Sequence, residues 1–492
     1  MTSSQENEDD TLDELLKDKA RIVELSDDED EDDSMAGPPF PGNHLKQPRR
    51  KRKSKLQPQP QPQRKVLEIP PWIFDTNELF HNDVKTPSRH ALDKTAAECL
   101  RFLTLLDTQG LPLNSHGLPH LRRKPHADFL RFFIGPLQTG FTAMDASRPW
   151  LFYWCIAGLS FLDQDVSEYK ERLIETVRPL QNPAGGFGGG HGQYSHCACT
   201  YATVLALTAV GGLEVVDRKT MWQWLGTVKQ DDGGFRMAVG AEEDIRGAYC
   251  AMTIITLLNL PLELPPDASA RKAGLTSFTD KLGGIGGGPS NEVHGAYAFC
   301  ALACLSILDA PHISIPKYLD IDALARWLAS TQTTPEGGFA GRPNKLVDAC
   351  YSHWVGACFA LIEAALPGTK DGLWNKAALV RYLLTCGQQT GPQGGMRDKP
   401  SARPDGYHTC YSLSGLSAAQ NHYWYDSESS TTDAGSGRLL AAFNWQAKRG
   451  TAEELEVLKV DEEDVVALIH PVFVLRLEAV EAARQTFEAG GL

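Results

Sequence analysis

The feature that most restricts this chain is a short unit repeated five times. Gly-Gly followed by an apolar residue occurs at Gly185-Gly186-Phe187, Gly233-Gly234-Phe235, Gly283-Gly284-Ile285, Gly337-Gly338-Phe339 and Gly394-Gly395-Met396, at intervals of about 50 residues. An interval of that length accommodates two helices and their turns. Glycine supplies the left-handed or closely approached backbone that such turns need. The intervening stretches are helical in pattern. ALDKTAAECLRFLTLL, RPWLFYWCIAGLSFL and TYATVLALTAVGGL carry apolar residues at i, i+3, i+4 and i+7. No stretch alternates convincingly as a strand would, so the expected class is all-α. A helical-hairpin repeat must bury its face against its neighbours, either as an open solenoid or as a closed ring. The repeat alone does not choose between them.

Each unit is followed by an apolar helix with a tyrosine near its start: Tyr201, Tyr249, Tyr297, Tyr351 and Tyr411. Aligning the helices on those tyrosines and reading three residues earlier gives Ala198, Arg246, His294, Asp348 and His408. Positions i and i+3 share a helix face, so a polar column is expected beside the tyrosines. Taken singly, each of these is an ordinary packed or hydrogen-bonded residue; as a set they point to a site. Asp348, Cys350 and His408 then fall on adjacent repeats. A carboxylate, a thiolate and an imidazole are ligands for zinc, and three protein ligands leave the fourth position open, as catalytic zinc requires. Arg246, His294, Arg342 and Lys345 add positive charge or donors, and helix N-termini favour anions. A phosphate-bearing ligand beside the metal follows. Trp150, Trp154, Tyr201, Tyr249, Tyr297, Trp354 and Tyr411 cluster at the same helix starts and are able to wall an apolar groove. An anionic end joined to an apolar groove suits a prenyl diphosphate.

Composition removes several alternatives. The net charge of −14 argues against a general nucleic-acid binder. No apolar run reaches the roughly 18–20 residues of a membrane span. Eleven cysteines in a long chain with no secretory leader point to a reducing compartment. Residues 1–66 differ from the rest: SDDEDEDDS is one block of charge, PRRKRKSK is basic and QPQPQPQ is low-complexity. Such a tail is expected to be disordered. Its basic cluster at 49–55 reads either as a nuclear-import or anionic-surface signal or as a solvated tail. The Asp30-Glu31-Asp32-Asp33 match to a terpene-cyclase acid motif is an accident of the charge run.

The stretches RPNKLVDACYSHW, DKPSARPDGYHTCYSLSGLSAAQ, GGFGGGHGQYSH, EDIRGAYCAM, EVHGAYAFC and DASRPWLFYW together resemble the β subunits of protein farnesyltransferases. The resemblance runs from about residue 67 to about 422 and resumes at HPVFV, 470–474. It implies an α–α barrel over 67–492, with an inner ring of helices inside an outer one and with 425–465 as an insert or loop region. It implies a cytoplasmic heterodimer with a farnesyltransferase α subunit. The implied reaction moves a farnesyl group from farnesyl diphosphate to the cysteine of CaaX proteins such as small GTPases. One Zn²⁺ per β subunit is implied, its ligands carried over onto Asp348, Cys350 and His408. Diphosphate contacts fall on His294, Arg342, Lys345 and Tyr351, the last also placed among the catalytic residues. Groove residues fall on Trp150, Tyr249, Tyr297, Trp354 and Tyr411, with Arg246 and Cys300 nearby, and peptide contacts on Trp150, Trp154, His196 and Tyr407. Asp398 matches a carboxylate that assists Mg²⁺ at the diphosphate. The loop SARP, 401–404, departs from the family's more basic version. Bulk at Trp150 and Tyr411 favours farnesyl over geranylgeranyl. A geranylgeranyltransferase type I β subunit, a terpene-cyclase-like barrel and a non-catalytic helical scaffold are the other readings.

Overall fold

Each Gly-Gly unit is a turn whose first glycine has positive φ: Gly185 +94°, Gly233 +107°, Gly283 +96°, Gly337 +85° and Gly394 +71°. The computed structural model describes residues 86–487 apart from 106, 109, 232, 263–278, 281, 367–371 and 432–437. The charged tail, its motifs and the expected start of the domain at 67 lie outside the described residues. The helices are α1 (Pro87–Leu103), α2 (Arg123–Ile134), α3 (Arg148–Phe161), α4 (Lys170–Val177), α5 (Cys197–Val210), α6 (Arg218–Val228), α7 (Ile245–Leu257), α8 (Gly295–Leu308), α9 (Pro311–Tyr318), α10 (Ile321–Ala329), α11 (Tyr351–Trp354), α12 (Cys358–Ala365), α13 (Lys376–Tyr382), α14 (Gly406–Gln420), α15 (Ala452–Leu458) and α16 (Leu477–Thr486).

Helices α3, α5, α7, α8, α11–α12 and α14 are buried on nearly every side. Each packs against the next, and α14 packs back on α3. They form a closed inner ring. Outside them lie amphipathic helices such as α6 and α10, whose buried residues occupy one face. In the first, third and fourth units the first glycine sits against the start of the following outer helix. A Cβ on Gly185 would come within 2.0 Å of the Thr220 carbonyl, one on Gly283 within 2.5 Å of Ala323 and one on Gly337 within 2.9 Å of Ala378. The fifth unit returns to the first outer helix: a Cβ on Gly394 would lie 2.1 Å from the Pro125 carbonyl. That contact makes the architecture a toroid rather than an open solenoid.

The units are also stitched by backbone hydrogen bonds. The amides of Cys197, Ile245, Gly295 and Ala349 each donate to the next unit: Cys197 to Met237 (2.7 Å), Ile245 to Gly287 (3.1 Å), Gly295 to Gly341 (2.8 Å) and Ala349 to Asp398 (2.9 Å). Turns at 113–119 and 469–476 pair like the five glycine units, Leu113 with Pro119 and Ile469 with Arg476, but without Gly-Gly. The last of these turns includes HPVFV. It is held to the inner ring: the Tyr153 hydroxyl donates to the Val474 carbonyl (3.0 Å) and that of Tyr249 to Val472 (2.6 Å).

Two expectations need amending. A two-stranded antiparallel ribbon is present, β1 (Asn421–Tyr425) with β2 (Trp445–Arg449). Five-residue strands are too short for an alternating pattern to register. The described residues of the segment 425–465, which exclude 432–437, also include regular structure. They contribute β2, α15 with a Thr451/Glu454 capping box, and buried Trp445, Leu455, Leu458 and Val460.

The seam that closes the ring contains a titratable group. His126 on α2 is fully buried. Its Nδ1 accepts from the Gly395 amide at 2.9 Å and its Nε2 meets Gln388 Oε1 at 2.9 Å. Both contacts are satisfied only by the neutral ring. Burial pushes His126 down to about 4 from 6.5. Between those values the unfolded chain takes up a proton that the folded chain refuses, so stability falls as pH drops through this window. The loss at the lower end amounts to about 3 kcal/mol for this group. Denaturation midpoints measured from pH 7 to 4 are expected to decline, and to decline less in His126→Gln.

Candidate functional site

The N-terminal ends of the inner helices gather on one face of the toroid, and the glycine units set their register. Eleven residues after the first glycine of each unit stands a side chain that caps the next helix or turn (185 to 196, 233 to 244, 283 to 294, 337 to 348, 394 to 405). His196 accepts from the Ala198 amide, Asp244 from Arg246, His294 from Ala296 and Asp348 from Cys350. Asp405 accepts from the His408 amide at 2.7 Å. Each such cap is worth about 1 kcal/mol. The equivalent column is therefore His196, Asp244, His294, Asp348 and Asp405, and alignment on the tyrosines mixed registers. The reason is local: the five helices begin at different distances before their tyrosines.

Asp348, Cys350 and His408 nevertheless meet. One ligand atom from each lies within 4.8 Å of the others, and His408 Nε2 is 3.2 Å from Asp348 Oδ1. His408 Nδ1 is held by Asp405 Oδ2 at 2.7 Å, which leaves Nε2 as the free face of the ring. That buried Nε2 faces the Asp348 carboxylate. Cys350 is 2% exposed, whereas the Asp348 and His408 side chains keep 21% and 17% exposure at the mouth. Burial raises the Cys350 thiol, and Asp348 raises it further. Burial also opposes ionisation of Asp348, but the His408 ring outweighs it and holds the carboxyl well below its usual range. Asp405 and Asp348 likewise overcome burial to hold His408 well above an ordinary imidazole. An imidazole nitrogen, a thiol and a carboxylate gathered at one point are a donor set that suits a zinc-class divalent ion.

Asp398 adjoins this group. Burial first and Asp348 second raise its carboxyl. Lys399 Nζ is 2.5 Å from its Oδ2, while the buried Oδ1 lacks a hydrogen bond.

A second cluster lies on the preceding repeats. His294 Nε2 and the Tyr351 hydroxyl are 3.1 Å apart. A Cβ on Gly341 would come within 2.5 Å of that nitrogen and 2.6 Å of that hydroxyl, so only glycine leaves them their present positions. Tyr297 packs edge-on to His294 at 5.7 Å. The Arg246 guanidinium lies 5.9 Å from the Tyr297 ring and is gripped by Asp244, with Nη2 2.6 Å from Oδ2. Arg342 Nε is 3.0 Å from Glu292, and half-buried Lys345 follows on the same segment. Cys300 is buried one turn beyond Tyr297 on α8. His196 caps α5, and its buried Nε2 forms no hydrogen bond.

The interior is lined by a closed circuit of rings. Trp150 contacts Tyr201 (5.8 Å), Tyr201 contacts Tyr249 (5.4 Å), Tyr249 contacts Phe299 (5.7 Å) and Phe299 contacts Trp354 (5.5 Å). Trp354 meets Tyr411 (4.6 Å), Tyr411 meets Tyr407 (4.9 Å), Tyr407 meets Trp154 (5.3 Å), and Trp154 stacks on Trp150 (5.4 Å). Trp354 Nε1 donates to the Tyr407 hydroxyl at 2.9 Å. Phe299 was not anticipated, although the glycine register marks it. Tyr201, Tyr249 and Phe299 each stand sixteen residues after their first glycine, whereas Tyr297 and Tyr351 stand at fourteen with His408. Asp405 and Asp244, which orient His408 and Arg246, were missed for the same reason.

Residues 121–475 match the family model for the prenyltransferase alpha-alpha toroid domain, which defines the class of the fold. The protein farnesyltransferase β subunit of Pyricularia oryzae is 47% identical over 83% of this chain and 82% of its own length. That of Schizosaccharomyces pombe is 36% identical over 65% of this chain and 83% of its own. A solved Candida albicans protein geranylgeranyltransferase-I, complexed with GGPP, superposes with a TM-score of 0.58 at 19% identity, covering 75% of this chain and all of that one. The chain belongs to the protein farnesyltransferase β-subunit family and is a protein prenyltransferase subunit.

Proposed function

We propose that this β subunit, paired with an α subunit, transfers the farnesyl group of farnesyl diphosphate to the cysteine of a C-terminal CaaX sequence. The observation that carries the reading is the convergence of Asp348, Cys350 and His408 within 4.8 Å at the mouth of an aromatic-lined barrel. Zn²⁺ held by these three would supply the charge that converts an incoming thiol to thiolate. A free thiol is already a few per cent ionised at pH 7, so that gain is at most about 30-fold, or roughly 2 kcal/mol. Positioning and stabilisation of the leaving group must supply the rest.

The chain's own residues divide that work. Asp405 holds the His408 ring proton on Nδ1 and so presents Nε2. His294, Tyr351, Arg342 and Lys345 receive the diphosphate, and the His294–Tyr351 pair offers donors to the charge that develops as the carbon–oxygen bond breaks. The aromatic circuit excludes water and holds the fifteen-carbon chain, worth about 10 kcal/mol of gross burial. Arg246, Tyr249, Tyr297, Cys300, Trp354 and Tyr411 flank it. Trp150, Trp154, His196 and Tyr407 face the peptide, and the bulk of Trp150 and Tyr411 limits the groove to farnesyl. Asp398 would share Mg²⁺ with the diphosphate, a role supported by its buried Oδ1, which accepts no hydrogen bond.

Assaying the co-purified complex with a CaaX peptide and each of the two diphosphates tests the reading. Farnesyl transfer is expected to dominate; preference for geranylgeranyl would move the assignment to the type I enzyme, and transfer without bound zinc would remove the metal's role. For Asp398→Ala, the magnesium concentration giving half-maximal rate is expected to rise about tenfold or more. An unchanged titration would exclude its part in cation binding.

A further inference from the structure

One of the rings packed behind the aromatic circuit is a histidine. His353 on α11 is 1% exposed and touches three members of the circuit. It stacks on Tyr411 at 5.1 Å with the planes 29° apart, and lies edge-on to Phe299 at 4.5 Å and to Trp354 at 4.9 Å. Its Nδ1 and the Ser414 Oγ are 3.0 Å apart. Ser414 stands one turn beyond Tyr411 on the same face of α14. The Nε2 atom of His353 is buried and forms no hydrogen bond. Burial pushes His353 down to about 3, so the ring is neutral and brings no charge to the groove.

Packing alone does not call for this residue. A buried nitrogen without a partner is costly, and a phenylalanine would make similar ring contacts without it. What the imidazole adds is direction. Its bond to Ser414 fixes the torsion about Cβ–Cγ, which is broad for an unbonded ring. Support from the other side is slight. A cavity of about 10 Å³, room for a single water molecule, adjoins the ring and is walled in part by Ala357, Ala360 and Ala418. An unbonded ring has space to tilt there, and Tyr411, stacked on it, has space to follow.

We propose that His353, held by Ser414, is a positioning residue for isoprenoid length: it fixes Tyr411 as the wall that ends the groove at a farnesyl chain. The role presupposes the farnesyl-transfer reading above and concerns which diphosphate is used. The αβ complexes of wild type, His353→Phe, Ser414→Ala and the double variant are compared by kcat/KM with farnesyl and with geranylgeranyl diphosphate at one CaaX peptide, with a melting curve for each. Each single substitution is expected to lower the farnesyl-to-geranylgeranyl ratio about tenfold, mainly by raising geranylgeranyl use. The double variant is expected to go no further than either single one, because the same bond is lost in all three. Ser414→Ala removes one buried oxygen and gives the answer even where His353→Phe fails to fold. A ratio within about twofold of wild type in Ser414→Ala, whatever its melting temperature, would overturn the proposal and leave the pair a structural role only. Single effects that multiply in the double variant would overturn it as well. Wild type without a farnesyl preference would fault the functional reading instead, and the change in ratio from wild type to variant would still decide the positioning role.

Discussion

Cys350→Ala is expected to abolish zinc binding at the mouth and to lower kcat/KM for farnesyl transfer by at least about 100-fold, with the Kd for farnesyl diphosphate changed by less than about threefold. The separation follows from the geometry. The thiol belongs to the Asp348–His408 group, whereas the proposed diphosphate receptors, His294 and Tyr351, bond to each other through a different contact. Losing the sulfur leaves an Asp–His pair, too few ligands for a firmly held zinc ion. The aromatic circuit, where the hydrocarbon would gain most of its binding energy, does not include Cys350. Zinc content, single-turnover transfer and equilibrium titration with farnesyl diphosphate on the same preparation check all three parts. Loss of diphosphate binding with zinc retained would reverse the assignment.

Gly341→Ala is expected to do the opposite. Its methyl group would stand 2.5 Å from His294 Nε2 and 2.6 Å from the Tyr351 hydroxyl, distances no carbon atom tolerates. One or both groups must move, and with them donors worth about 1.5–3 kcal/mol each toward a charged ligand. Farnesyl diphosphate affinity should fall by about 100-fold, while zinc content stays at the wild-type level. The Gly341 carbonyl also accepts the Gly295 amide, so a melting curve accompanies the titration. Weakened binding with an unchanged melting temperature supports the cradle; unchanged binding contradicts it.

The sequence held more of the site than of its geometry. Asp348, Cys350 and His408 were legible as a ligand set because their chemistries complement one another on adjacent repeats. The tyrosine ruler that brought them together was nonetheless out of register. Helix starts vary with local capping, while a positive-φ glycine pair packed on the next helix cannot drift. Measured from the glycines, Phe299 joins Tyr201 and Tyr249, and Asp244 and Asp405 emerge as the caps that hold Arg246 and His408. Closure of the ring was legible only through the family resemblance and not from the repeat itself, because it depends on rotation accumulated over every repeat. It is expressed in contacts such as Gly395 with His126, 269 residues apart.

The most direct test of the central claim is an anomalous difference map collected at the zinc edge from crystals of the αβ complex. The account predicts a peak about 2.3 Å from Cys350 Sγ and about 2.0–2.2 Å from His408 Nε2 and an Asp348 oxygen. A map without zinc at Cys350 in an enzyme that still transfers farnesyl would contradict it.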